Sequence, residues 1–524
     1  MPTTVREATF SLLRSFGLTT VFGNPGSTEL PMFRAFPKDF RYVLGLQESV
    51  VVAMADGFAQ TRAAAALVNL HSAAGVGHAL GSIFTAYRNQ SALIITAGQQ
   101  ARSMLPLEPF LYSDQAPSLP KPYVKWSCEP ARAADVPAAI ARAYYTAMQS
   151  PRGPTFVSIP VDDWDQNCEP LAARTVSGSV SADPALLARV GAALSAASRP
   201  VFVVGASVAR DGAWDQVIAL AERHQAAVWV SPRSARNSFP EQHHLFAGFL
   251  PPDRVSVVNC LRGADLVLVL GAPVFTYHVE SPPGPHVPSG AELIQLIDDP
   301  AAAAWAPAGL AIVTHMRLGI EALLGYDAPA RTPPAPRSIA AVKSAAQLTE
   351  PYLMDRIAKL RPAGTIIVEE APSSRSAMQE HLPMDERDSF HTCASGGLGH
   401  GLPAAVGVAL GRPGRKVIAL LGDGSAMYSI QGLWSAAELK LPVVFIIINN
   451  GSYHGLVEFG QHFNLPELPG VQLPHLDFCA LARGHGVEAR RVEKAGELDA
   501  ALQSAFSAAG PVLLDVALAA RSQP

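Results

Sequence analysis

Three doubly wound α/β domains, each a parallel sheet covered by helices on both faces, are predicted by three features of the sequence. Its 524 residues exceed what one hydrophobic core organises, so two to four domains are expected, with three as the working number. Short β-branched runs alternate with Ala-rich segments long enough for helices, which is the pattern of parallel βαβ construction. Two polar, helix-poor stretches, Asn167 to Pro184 and the proline-dense Asp327 to Arg337, divide the chain into 1–170, 184–327 and 340–524.

In chain order, the first third offers TVFG from Thr20, the strand-like YVLGLQE closing on Glu48, ALVNL from Ala66 and LIITAG from Leu93. VFVVG from Val201 and LVLVLG from Leu266 follow in the middle third. The last third contributes TIIVEE from Thr365, KVIALLGDG from Lys416, VVFIIINN from Val443 and VLLDV from Val512. These runs are apolar throughout rather than alternating, which predicts strands buried on both faces. In such sheets ligands bind beyond the carboxyl ends of the strands, so chemistry is sought in the residues right after each run.

Composition narrows the function. With 40 basic against 44 acidic residues the net charge is -4, which leaves no electrostatic footprint for nucleic acid or an anionic membrane. Cys128, Cys168, Cys260, Cys393 and Cys479 are odd in number and form no CxxC pair, which argues against a disulfide framework or structural zinc and fits a reducing cytoplasm. Arg6 and Arg14 interrupt the apolar residues of the N-terminus, and no apolar run approaches the roughly 18 residues that span a bilayer. A cytoplasmic enzyme of small-molecule chemistry is expected.

The strongest local signal is Gly422-Asp423-Gly424 after KVIALL, followed 24 residues later by Asn449-Asn450 after VVFIII. The intervening QGLWSAAELK reads as the helix of a right-handed crossover, which would set Asp423 and Asn450 side by side on one sheet edge. Either dipeptide alone is more often an ordinary turn or cap; both at the ends of consecutive apolar strands are not. Two oxygen ligands there suit a hard divalent cation that shares its shell with a diphosphate. Glycines at 422, 424 and 451 would let the backbone approach phosphate oxygens, and Ser425 would open the next helix, whose free amides favour anions. The pair resembles the thiamine-diphosphate motif; carried over, it makes Asp423, Asn450 and the carbonyl of Ser452 the ligands of magnesium, with calcium an alternative occupant.

Elsewhere, Glu48 stands at a strand-to-helix junction in an apolar context, where burial raises a carboxyl pKa. His71 follows ALVNL, and Ser27 lies in the loop FGNPGST after TVF. Both loops end strands and face the same edge, offering an imidazole for proton transfer and a hydroxyl for a substrate carboxylate. His278 follows the middle-third strand in GAPVFTYH, in a proline-rich loop suited to a reaching side chain. Taken singly, an acidic helix cap or a structural histidine is the commoner explanation of each.

From TVFGNPGSTELP at Thr20 through LQESVVVAMADGFAQ, NLHSAAG, ITAGQQ, KWSCEPARAADVP and GAPVFTYH to CASGGLGHGLPAA at Cys393 and the GDG motif, nearly the whole chain resembles the thiamine-diphosphate-dependent 2-oxo acid decarboxylases, and among them the benzoylformate decarboxylases. It is less similar to the pyruvate decarboxylases, which place an adjacent His-His pair where none stands, and to the acetolactate synthases, which use a flavin-binding middle domain.

The resemblance implies that Glu48 shifts the cofactor's aminopyrimidine to its imino tautomer, generating an ylide that attacks the keto carbon. Carbon dioxide then leaves, an enamine forms, His71 and His278 relay protons, and an aldehyde departs. Ser27 would orient the carboxylate. Gly396, Leu398 and Ser373, with the GDG segment, would bind cofactor, Leu398 wedging it into a bent shape. Phe110, Leu111, Thr392, Leu456 and Phe459 would line an apolar aryl pocket. Benzoylformate is the implied substrate, in mandelate breakdown. A cofactor bridging Glu48 and Asp423 across a subunit interface implies at least a homodimer, with a tetramer the family norm.

Thr392, Pro372, Ser395, Gly455 and His454 depart from the pattern around the substrate; smaller side chains at 392 and 455 enlarge the pocket and open the choice of 2-oxo acid. The alternatives are therefore a decarboxylase of phenylpyruvate or a branched aliphatic acid, a carboligase or synthase sharing Glu48 and the metal motif, and a cofactor-binding protein without catalysis.

Overall fold

The computed structural model describes residues 3–342, 347–465 and 467–518. Two compact units emerge, one of Met1–Ser177, Ser344–Arg375 and Ser395–Pro524, the other of Gly178–Lys343 and Ser376–Ala394. The first unit carries two parallel sheets and the second carries one, all flanked by helices.

In the N-terminal sheet the strands run, edge to edge, Arg41–Leu44, Thr20–Gly23, Ala66–Leu70, Leu93–Gln99, Thr155–Pro160 and Ser127–Cys128. The strand order reverses at Thr20–Gly23, whose two neighbours are the next two strands in the chain. A crevice therefore opens between the loops that follow Gly23 and Leu70, the loops of Ser27 and His71.

The C-terminal sheet places Ile366–Glu370, Val417–Gly422, Val443–Asn449, Val512–Ala517 and Glu488–Val492 as successive parallel neighbours. Its central strands are fully buried, as their uninterrupted apolar character requires. Glu488–Val492 is a polar edge strand that no apolar run announces. The second unit orders Phe246–Phe249, Ala227–Val230, Pro200–Val204, Leu266–Leu270, Glu292–Ile297 and Leu310–Val313, all parallel. Apolar clusters cover both faces of this sheet, Phe202, Leu268 and Ile294 on one and Val203, Val267 and Val269 on the other.

Within the first unit, the helix Glu48–Arg62 packs lengthwise on the helix Gly401–Gly411. Val50, Val51 and Val52 in sequence would favour a strand. Burial on every side keeps them helical, since each fully buried valine contributes about 1.5–3 kcal/mol. Two glycines permit the contact: a Cβ at Gly57 would lie 2.2 Å from the Ala404 carbonyl oxygen, and one at Gly407 would lie 1.9 Å from that of Met54. The linker 169–182 is without regular structure and almost wholly exposed, and 327–342 is likewise without regular structure.

Candidate active site

The expected crossover is present. Gly422 pairs with Ile448 at the ends of adjacent parallel strands, so Asp423 and Asn450 leave the same sheet edge. The Asp423 side chain is buried and held by backbone: Oδ1 accepts from the Gly424 amide at 2.7 Å, and Oδ2 from the amides of Gly451 at 2.7 Å and Ser452 at 3.2 Å. Burial pushes its carboxyl above the ordinary aspartate range, against the downward pull of these amides. Asn450 Oδ1 accepts from the Ser452 amide and hydroxyl, both at 3.1 Å. Asn449 turns the other way, donating to Asp515 at 2.9 Å.

Among the described residues no three His, Cys, Asp or Glu side chains gather as a metal cluster. A cation at this edge would thus be held by one carboxylate, one amide oxygen and a backbone carbonyl, a hard all-oxygen set that fits magnesium or calcium. Glycine is required nearby: a Cβ at Gly424 would fall 2.3 Å from the Tyr453 ring, while Gly451 adopts φ +69° with open space around it. The short helix begins at Asp423 and ends at Met427, so Ser425 is its third residue rather than its opening one.

At the N-terminal crevice, His71 caps the helix Ser72–Asn89, and its Nδ1 lies 2.8 Å from Glu29 Oε2. Glu29 is itself buried and saturated, accepting from the Gly26 and Gly98 amides, each at 2.8 Å, and from the Thr28 hydroxyl at 2.7 Å. A carboxylate so fixed assigns the His71 proton to Nδ1 and leaves Nε2 for chemistry. Sequence reasoning missed Glu29. Its signal was the capping-box spacing, Glu29 reaching back to the Gly26 amide. Ser27 is exposed at the start of the same turn.

Glu48 is the first residue of its helix, buried to 9% exposure, four residues beyond the strand end at Leu44. His78 was also missed: its Nδ1 stands 3.2 Å from Glu48 Oε2, reaching across from the neighbouring helix Ser72–Asn89. Gly75 sits against the same carboxyl, where an added Cβ would be 3.2 Å from Oε1.

Gly396, with φ +75°, and Leu398 lie on the turn before the helix Gly401–Gly411, and Ser373 lies in the short turn Pro372–Ser374, against which the helix His454–His462 packs. Phe110 is 87% exposed and Leu456 52%, while Leu111 and Phe459 are half-buried. His278 and Thr392 belong to the second unit. His278 is exposed, with its pKa lowered by partial desolvation and by the charge of Arg233. Thr392 is buried on the strand Phe390–Thr392, its amide donating to the Ala235 carbonyl at 3.1 Å.

Comparison with known proteins agrees with this geometry. The profiles "Thiamine pyrophosphate enzyme, N-terminal TPP binding domain", "central domain" and "C-terminal TPP binding domain" match residues 3–117, 187–323 and 372–516. A benzoylformate decarboxylase of Pseudomonas aeruginosa is 47% identical over 520 residues, 98% of each chain. The structure of a thiamine diphosphate-dependent 4-hydroxybenzoylformate decarboxylase from Rhodococcus jostii superposes with TM-score 0.96 at 42% identity, covering 99% of this chain and all of that one. That of benzoylformate decarboxylase from Polynucleobacter necessarius gives 0.97 at 41%, covering 99% of each. The chain belongs to the thiamine pyrophosphate enzymes, in the group of the benzoylformate decarboxylases.

Proposed function

We propose that the protein decarboxylates an aromatic 2-oxo acid without oxidation, with benzoylformate its preferred substrate and benzaldehyde the product. The observation that carries the assignment is the buried Asp423, locked by three backbone amides beside Asn450 at the ends of two adjacent parallel strands. The similarity over 98% of the chain to a protein named for this activity supports the substrate class.

Thiamine diphosphate, when bound, supplies a carbon nucleophile and a sink for the electron pair released with carbon dioxide. Asp423, Asn450 and the Ser452 carbonyl would hold magnesium, with calcium able to replace it. Gly422, Gly424, Ser425 and Ser373 would face the diphosphate, and Gly396 and Leu398 the aminopyrimidine. Glu48 would exchange a proton with the ring nitrogen it meets. His71 Nε2 would carry a proton to and from the reacting carbon or oxygen, steadied by Glu29 at Nδ1, with His278 as the second carrier. The Ser27 hydroxyl would orient the substrate carboxylate. Phe110, Leu111, Thr392, Leu456 and Phe459 would form the aryl pocket.

We take the working protein to be a homodimer at least, and a tetramer by family likeness. Leu46, Leu107, Phe110, Tyr428, Leu456 and Phe463 are each more than 45% exposed in one chain, apolar surface that a second copy would cover. The cysteines Cys128, Cys168, Cys260, Cys393 and Cys479 are free thiols, which suits the cytoplasm. No described helix is long and apolar enough to cross a membrane.

The test is release of carbon dioxide and aldehyde from benzoylformate, phenylpyruvate and pyruvate, with thiamine diphosphate and magnesium present or omitted. Cofactor-dependent turnover led by benzoylformate is expected. Turnover led by another acid would overturn the substrate, and turnover without cofactor would overturn the mechanism.

A further inference from the structure

A second acid–base constellation lies inside the first unit, away from the crevice and used by no step above. Asp56, on the helix that begins at Glu48, is wholly buried, and His400, at the foot of the turn bearing Gly396 and Leu398, is 2% exposed. His400 Nε2 meets Asp56 Oδ2 at 2.9 Å across 344 residues of sequence. The same carboxylate also accepts from Asn89 at 2.7 Å, Gln60 at 2.8 Å and the Ser91 hydroxyl. On the other side of the turn, Glu370 caps the strand Ile366–Glu370 and accepts from the amides of Gly399, at 2.6 Å, and Gly401. The far end of the turn is tied as well, by a hydrogen bond of 2.9 Å between Thr85 and Ser395.

A buried ion pair is poor value as stabilisation. Its desolvation rivals its Coulomb gain, and apolar side chains of equal volume commonly serve stability as well or better. What charged, multiply bonded groups add is a single geometry. Between the ties, Gly396 keeps φ +75° with nothing within 4 Å of where a Cβ would stand, so its backbone is held from the ends of the turn rather than by packing at that residue. Its two ends are anchored by Asp56, His400 and Glu370 on one side and the Thr85–Ser395 bond on the other, with the Gly397 amide donating to the Ser395 hydroxyl at 3.0 Å.

We propose that His400, braced by Asp56 and Glu370, is a positioning residue that holds the Gly396–Leu398 turn in the one conformation able to seat the cofactor's aminopyrimidine; this rests on the thiamine-diphosphate reading above. Burial pulls the imidazole pKa down, but the Asp56 hydrogen bond and the nearby carboxyls of Asp56 and Glu370 outweigh it and raise it on balance. Replacing His400 frees the turn without touching Asp423, Glu48 or His71.

The test is titration of the cofactor-free full chain with thiamine diphosphate and magnesium, followed by intrinsic fluorescence. It is read together with the near-ultraviolet circular dichroism of the bound cofactor's imino tautomer and the melting temperature of the cofactor-free protein. In H400L the dissociation constant rises about tenfold or more and the imino signature is lost at saturation, as expected when a supporting partner is removed. H400Q, whose amide reaches Asp56, restores both. H400N, too short to reach, behaves as H400L and serves if H400L does not fold. A folded H400L or H400N with wild-type affinity and signature overturns the proposal, as does a loss confined to melting temperature. A wild-type protein that fails to bind thiamine diphosphate overturns the functional reading and this proposal together.

Discussion

Two of the sheets reverse their strand order in the same way, yet the crevices at the reversals are built for opposite ends. In the N-terminal sheet the loops after Gly23 and Leu70 meet through side chains, with Glu29 and His71 at 2.8 Å and an exposed Ser27 beside them. In the middle sheet the loops after Val204 and Leu270 meet through backbone. The Gly205 amide donates to the Leu270 carbonyl at 3.0 Å and the Ser207 amide to that of Gly271 at 3.1 Å. A Cβ at Gly205 would lie 2.5 Å from the Ala272 Cβ, and one at Gly271 2.8 Å from the Val208 amide. Two of the amides at that helix start are thus spent on the neighbouring strand and the residue after it, and the Val208 amide donates to the Gly205 carbonyl. A strand-order reversal offers a place for a ligand, and the residues just beyond it decide whether the place is kept open.

The sharpest ways to break this contrast act on the open sites. Asp423→Ala is expected to weaken thiamine diphosphate and magnesium retention by about a hundredfold or more, read as the dissociation constant, since it deletes a ligand rather than a support. Glu48→Gln is expected to keep cofactor affinity while turnover falls about 10²–10⁴-fold, the usual worth of a positioned proton-transfer group. An active Glu48→Gln enzyme would end the activation argument. Gly205→Ala sharpens the other side: it should lower the melting temperature through about 1–3 kcal/mol of overpacking while the cofactor dissociation constant stays put. A changed cofactor affinity there would show that the closed crevice is not inert.

The apolar strands were legible because a strand buried on both faces leaves an unbroken run in the sequence, as VVFIII does before Asn449. Glu488–Val492 was not, because an edge strand can carry Glu488, Arg490 and Arg491 and still pair on one side. The juxtaposition of Asp423 and Asn450 was legible because the two residues follow the ends of consecutive strands. Asp56 with His400, and Glu370 with Gly399, were not, since each pairing joins distant stretches and only the packing of the helices Glu48–Arg62 and Gly401–Gly411 brings Asp56 and His400 together. His78 falls between these cases: it sits on a helix that was expected, but its approach to Glu48 depends on how two helices are rotated.

The smallest expected effect concerns the charge of Glu370. Burial pushes its carboxyl from 4.5 up to about 7, against the downward pull of the Gly399, Gly401 and His400 amides and the His400 charge. A folded-state value above the unfolded one means the native protein holds the proton more tightly. The stabilisation is full below about 4.5, declines as pH rises, and is gone above about 7. Glu370→Gln removes the titration while keeping an oxygen acceptor for the turn. The difference in melting temperature, variant minus wild type, measured without cofactor, should therefore climb between pH 5 and pH 7 and level off beyond it. A difference that stays flat across that window would mean that Glu370 remains ionised throughout, its charge fully compensated by the amides and by the His400 side chain that it faces.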